Sequence, residues 1–121
     1  MLDNYYQIFN KPFMKNLNNI VKIEDFISSG DMRLLYLSRP DCGVCQALIP
    51  KIEEMILEFP DLDGRYIDLD QLPEAAGKFS IFTIPGILVF IQGKETIRKA
   101  RYVSVEELRT KIKRYDSLLK A

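Results

Sequence analysis

A chain of 121 residues, 47% apolar and 28% charged, has the size and composition of one globular domain with a core of its own. Seventeen Lys and Arg cancel seventeen Asp and Glu, so no excess charge points to nucleic acid or to an anionic membrane surface. Histidine is absent, which excludes schemes that need an imidazole base from this chain and removes the commonest metal ligand. No run approaches the roughly eighteen apolar residues of a membrane span. The start, Met1-Leu2-Asp3-Asn4-Tyr5, has neither the basic nor the apolar region of a secretory signal. Two cysteines are too few for a disulfide scaffold, so a reducing, cytoplasmic location is expected.

In chain order, residues 1–16 read as an N-terminal helical extension. Leu2, Tyr5, Tyr6, Phe9 and Phe13 form one apolar stripe, and Pro12 ends or bends it. The remainder, 17–121, is the main domain. Asn18–Ile23 reads as a short first strand, and Glu24–Ser29 as a short helix stopped by Gly30. Residues 32–38 form a buried apolar strand. From Gly43 to Phe59 the apolar residues Cys45, Leu48, Ile49, Ile52, Met55, Ile56 and Phe59 share one helical face, which Pro50 interrupts. Cys45 opens that face, so it is expected to be more buried than Cys42.

Gly64–Asp70 reads as a third strand, and Leu72–Phe79 as a short helix with Pro73 near its start. Ile87–Ile91 is a fourth strand, Gly93-Lys94 a turn, and Glu95–Tyr102 a charged edge strand. Ser104 and Glu107 form a capping box for a last helix reaching about Leu119, with Val105, Leu108, Ile112, Tyr115 and Leu119 inward. The order βαβαβαββα implies an α/β domain with a mixed sheet. Asp68 and Asp70 read as a solvated strand end and a helix cap, and no metal site is expected.

The chemistry gathers at Arg39-Pro40-Asp41-Cys42-Gly43-Val44-Cys45, between the buried strand and the long helix. A Cys-x-x-Cys at such a junction is a thiol-redox signal. Unpaired N–H groups at the helix start favour a thiolate there, and the thiolate is the nucleophile. Cys42 is the candidate nucleophile and Cys45 the candidate resolving thiol. Half of a zinc site would need two more ligands, with no other Cys or His to supply them. An inert disulfide and a fold whose activity is lost are the remaining alternatives.

From about residue 17 to 121 the sequence resembles the thioredoxin family. The landmarks, in order, are the cysteine pair, Pro50 five residues after Cys45, Ile84-Pro85 ahead of the apolar run Ile87–Phe90, and the turn Gln92-Gly93-Lys94. The resemblance implies the thioredoxin fold, a mixed sheet of about five strands flanked by helices, here with an extra N-terminal helix. It implies a cis Pro85 facing the cysteines and substrate contacts from Asp41, Gly43, Val44, Ile84 and Pro85. It also implies protein-disulfide oxidoreductase activity with no cofactor beyond the Cys42–Cys45 disulfide. The partners would be protein disulfides and a reductase or low-molecular-weight thiol, with no nucleic acid and no membrane. A monomer is expected, though the aromatic N-terminus leaves a dimer open.

The departures are specific. Asp41 stands where thioredoxin proper has tryptophan, and Val44 where it has proline. Tyr36 replaces a buried aspartate thought to move the resolving thiol's proton, Tyr66 replaces that aspartate's lysine partner, and Arg101 replaces a groove glycine. Asp41 beside Cys42 opposes thiolate formation, with Arg39 and Arg101 as candidate counterweights. Loss of the aspartate is expected to slow resolution, since a phenol of pKa about 10 is a poor base at neutral pH. Arg101 is expected to narrow the groove and select acidic or otherwise particular partners. The alternative to an enzyme is a binding module or redox sensor that presents the Pro85 loop and the N-terminal helix.

Overall fold

β2 (Met32–Ser38) is the most deeply buried strand, with six of its seven residues inside. Successive side chains of a strand point to opposite faces, and both faces of β2 are covered. Met32, Leu34 and Tyr36 enter one core, and Leu35 and Leu37 enter the other. A computed structural model describes residues 14–121. Around β2 the sheet runs in the order β1-β3-β2-β4-β5. β1 (Lys15–Asn16) and β3 (Leu62–Asp68) are parallel to their neighbours, while β4 (Gly86–Ile91) and β5 (Lys94–Ala100) are antiparallel. This is the mixed five-stranded sheet that the element order implies.

Helices α2 (Gly43–Ile56) and α4 (Val105–Leu119) cover the Tyr36 face through Ile52, Met55, Leu108 and Ile112. Helices α1 (Ile20–Ile27) and α3 (Glu74–Phe79) cover the other face through Ile23, Phe26, Ala75 and Phe79. Gly64 marks a close approach within β3, since a Cβ there would come within 2.7 Å of Ile56 Cδ1. β4 and β5 join through Gln92 and Gly93, with φ of 51° and 81°. Two positive φ values are what a tight two-residue hairpin turn requires, and glycine supplies one of them without steric cost.

The opening of the chain departs from the sequence reading. Asn18–Ile23 is not a strand; Ile20 begins α1, and Asn19 caps it by accepting from the Lys22 N–H at 3.1 Å. The inward residues Ile23, Phe26 and Ile27 follow a helical spacing that starts inside the stretch read as β. α1 ends at a Ser28 cap, short of Gly30. The first strand is β1, two residues too short to carry any periodic signal, and Met14 before it is buried in the core. The helix expected over 1–16 lies, as far as residue 13, outside the described residues.

Smaller shifts have local causes. β3 starts at Leu62 and ends at Asp68, because the Asp68 carboxylate accepts the Asp70 N–H at 2.8 Å and turns the chain. Asp68 is buried in that turn and not solvated. β5 stops at Ala100, since Arg101 has φ of 71°, outside any strand. Pro50 lies within α2, which continues to Ile56. Ser104 accepts from the Glu107 N–H at 3.2 Å, whereas the Glu107 carboxylate turns to Lys99 at 2.6 Å, so half of the expected capping box forms.

Candidate active site

The end of β2, the loop Arg39–Asp41 and the first turn of α2 form one hydrogen-bonded unit. The Arg39 carbonyl is its hub, accepting from the Cys42 N–H at 3.2 Å, the Gln46 side-chain amide at 3.2 Å and the Ser38 hydroxyl at 3.2 Å. Ser38 is fully buried and its single proton goes to Arg39, so the Tyr66 hydroxyl, 3.2 Å away, donates to Ser38. Cys42 is the N-cap of α2, and its sulfur accepts from the Cys45 N–H at 3.3 Å. Helix N–H groups aimed at a sulfur favour its anionic form.

Cys42 and Cys45 are joined as a disulfide, with Cα atoms 5.2 Å apart. Cys45 is fully buried while Cys42 is partly exposed, as the helical face implies. Below them sits Tyr36, also fully buried, whose hydroxyl donates to the Cys45 carbonyl at 2.6 Å. Its ring stacks on Tyr66, with centroids 6.0 Å apart, because the two face each other across the β2–β3 ladder. Burial, with a smaller contribution from Tyr66, pushes the Tyr36 phenol well above its ordinary pKa. The hydroxyl therefore holds its proton and serves as a donor, not as a base.

The second wall is the loop before β4. The Ile84–Pro85 bond is cis, Pro85 is buried and Phe82 in the same loop is 78% exposed. The Pro85 carbonyl accepts from the Arg101 N–H at 2.8 Å, which ties this loop to the end of β5. A left-handed backbone at a non-glycine residue costs about 1–2 kcal/mol, and Arg101 adopts it. Its guanidinium lies 5.1 Å from the Tyr102 ring centre.

Of the residues singled out in the sequence, Val44 and Pro85 meet along an open groove of about 660 Å³, with Arg101 and Tyr102 on its far side. Asp41 and Gly43 are exposed at the cysteine loop and Ile84 is half-buried, but none of the three lines that groove. The Arg39 Nε pairs with Asp70 at 3.2 Å. Sequence reasoning missed Ser38, a polar residue at the end of an apolar strand, and Lys51, two helical turns beyond Val44 on the groove side. No group of three or more His, Cys, Asp or Glu among the described residues could hold a metal ion.

Comparison with known proteins agrees with this geometry. The family model described as Thioredoxin matches residues 14–114. A thioredoxin-like protein of Bacillus subtilis, YdfQ, is 42% identical over 101 residues, covering 84% of this chain and 90% of the relative. The thioredoxin of Chlamydia trachomatis is 34% identical over 74 residues, covering 61% of this chain and 72% of its own. Among solved structures, Fasciola hepatica thioredoxin superposes with a TM-score of 0.76 at 29% identity, covering 84% of this chain and 98% of that one. Oxidised Plasmodium falciparum thioredoxin shares the fold, with a TM-score of 0.75 at 19% identity over 85% and 98% of the two chains.

Proposed function

The chain belongs to the thioredoxin family and is a thiol–disulfide oxidoreductase in general terms; from that premise we propose that it reduces protein disulfides through the Cys42–Cys45 dithiol. The observation that carries this reading is the asymmetry of the pair. Cys42 is accessible and sits at the helix N-terminus, while Cys45 is buried directly behind it.

In the forward direction the Cys42 thiolate attacks one sulfur of the substrate disulfide, and the other sulfur leaves as a thiolate and takes up a proton. Cys45, once deprotonated, attacks Cys42 Sγ and expels the second substrate thiolate. The substrate gains two electrons, and the Cys42–Cys45 disulfide forms. A flavoprotein reductase or a low-molecular-weight thiol then returns the two electrons. Asp41, Gly43, Val44, Ile84 and Pro85 are the substrate contacts in this reading, and the disulfide is the only redox group required. The reducing cytoplasm is the compartment that fits a dithiol reductase. No helix among the described residues is long and apolar enough to cross a membrane.

The test is the reduction potential of the Cys42–Cys45 couple, by equilibration in a thiol redox buffer with an alkylation readout. A value near about −270 mV, that of thioredoxin, is expected of a reductase. A value above about −200 mV would mean an oxidant or isomerase poise. Failure to form the disulfide at any poise would leave the fold as a binding module.

A further inference from the structure

We propose that the groove beside the dithiol is a cationic docking site for an acidic polypeptide segment flanking the substrate cysteine, with Arg101 and Lys51 as its specificity-determining residues. This rests on the oxidoreductase reading and extends its site. The near wall is one stripe of α2: Val44, Ala47, Leu48 and Lys51 line the groove at i, i+3, i+4 and i+7. Val44 lies between the cysteines, and Lys51 is seven residues further on, roughly 10 Å along the helix axis. An extended chain covers that distance in about three residues. Cys42 lies two residues before Val44, about 3 Å more along the axis, so a partner whose cysteine lies at Cys42 reaches Lys51 with about its fourth flanking residue.

The far wall begins at Arg101, where a backbone conformation that favours glycine carries the largest cationic side chain instead. Such an outlier points to use of the side chain. Neither Arg101 nor Lys51 forms an ion pair among the described residues. Arg101 lies over the ring of Tyr102, which is 80% exposed, and Val44 opposite is 70% exposed. The groove's single carboxylate is Glu107, which Lys99 at 2.6 Å and Lys111 at 3.4 Å neutralise. Those contacts, Lys99 first, hold the Glu107 carboxyl below its ordinary pKa, so it stays ionised and paired near neutral pH. Asp41, the acidic neighbour of Cys42, is outside the groove. Apolar contact from Val44 and Tyr102 with two free cations suits an acidic segment and repels a basic one.

The experiment is stopped-flow exchange between the reduced full chain and three synthetic peptide disulfides. They share one leaving thiol and differ only in carrying Asp, Gly or Lys at the flanking positions. Hydroxyethyl disulfide, small and uncharged, is the internal reference. At low ionic strength the aspartate peptide is expected to react about tenfold faster than the lysine peptide relative to that reference, and the two should converge as salt is added. Arg101→Glu and Lys51→Glu should each shrink or invert the ratio. Lys51 is exposed on the helix surface, so its variant keeps the test open should the Arg101 variant fold poorly.

A ratio indifferent to flanking charge, with hydroxyethyl disulfide still reduced, overturns the groove and leaves the oxidoreductase reading intact. If the reference is not reduced, that reading fails by itself. The groove is then judged by fluorescence anisotropy of a cysteine-free aspartate peptide on the oxidised protein. Binding that is lost in Lys51→Glu supports it, and no binding overturns it.

Discussion

Beneath Cys45 the protein places uncharged hydroxyls, whereas beside Val44 it places cations. The buried side holds Tyr36 on the Cys45 carbonyl, Ser38 on the Arg39 hub, and Tyr66 on Ser38. The exposed side holds Lys51 and Arg101 along the groove. The family resemblance leads one to expect an aspartate and a lysine in place of the two tyrosines and a glycine in place of Arg101. Charge is thus absent where desolvation would make it costly and present where water screens it. Two stacked phenols keep the cysteine turn positioned, and the buried Tyr36 hydroxyl holds its proton. The buried side then governs proton traffic and stability, and the exposed side governs which partner reacts and how salt changes its rate.

The largest effect that would sharpen this contrast concerns resolution. With a phenol where a base is expected, the step depends on the thiolate fraction of Cys45. Its rate, followed as release of the second substrate thiol from a preformed Cys42 mixed disulfide, should rise about tenfold per pH unit between roughly pH 6 and 7.5. A plateau across that range would break the contrast by showing that a base is at work beside Cys45.

Next in size is Tyr36→Phe. It removes the hydroxyl that satisfies the Cys45 carbonyl and should cost about 1–3 kcal/mol in urea denaturation of the oxidised protein. The same pair of proteins has a pH signature. The Tyr36 pKa is raised in the folded state, so the neutral phenol's contribution is complete below its unfolded value of about 10 and is lost as pH climbs beyond it. Wild type should therefore lose stability above pH 10 more steeply than the Phe variant. Parallel curves would mean that the phenol is not buried in solution.

The smallest expected effect is at the surface. Arg39 and Asp70 are about half exposed, so Asp70→Asn should change stability by less than about 1 kcal/mol and leave the dithiol's potential unmoved. A larger change would make the exposed rim part of the redox site and blur the division between the two sides.

Much of this site is written locally. The cysteine spacing, the apolar strand before it and the helical face after it suffice to place Cys42 outside and Cys45 inside, because each follows from the period of a single element. The central strands, the long helix and the hairpin are legible for the same reason. The sequence alone does not reveal β1, whose two residues become a strand only through pairing with Arg65 and Tyr66 on β3. Nor does it reveal where α1 begins, since its Asn19 cap competes with a short apolar run that also suits a strand.

The sequence by itself therefore determined the fold class and the identity of the paired sulfurs. The tertiary structure decided what surrounds them. It set Tyr36 against Tyr66 by strand register, gave Arg39 to Asp70 by the turn after β3, and brought Arg101 to Pro85 by the close of a hairpin. Those contacts join residues 16 to 31 positions apart, and no local period encodes them.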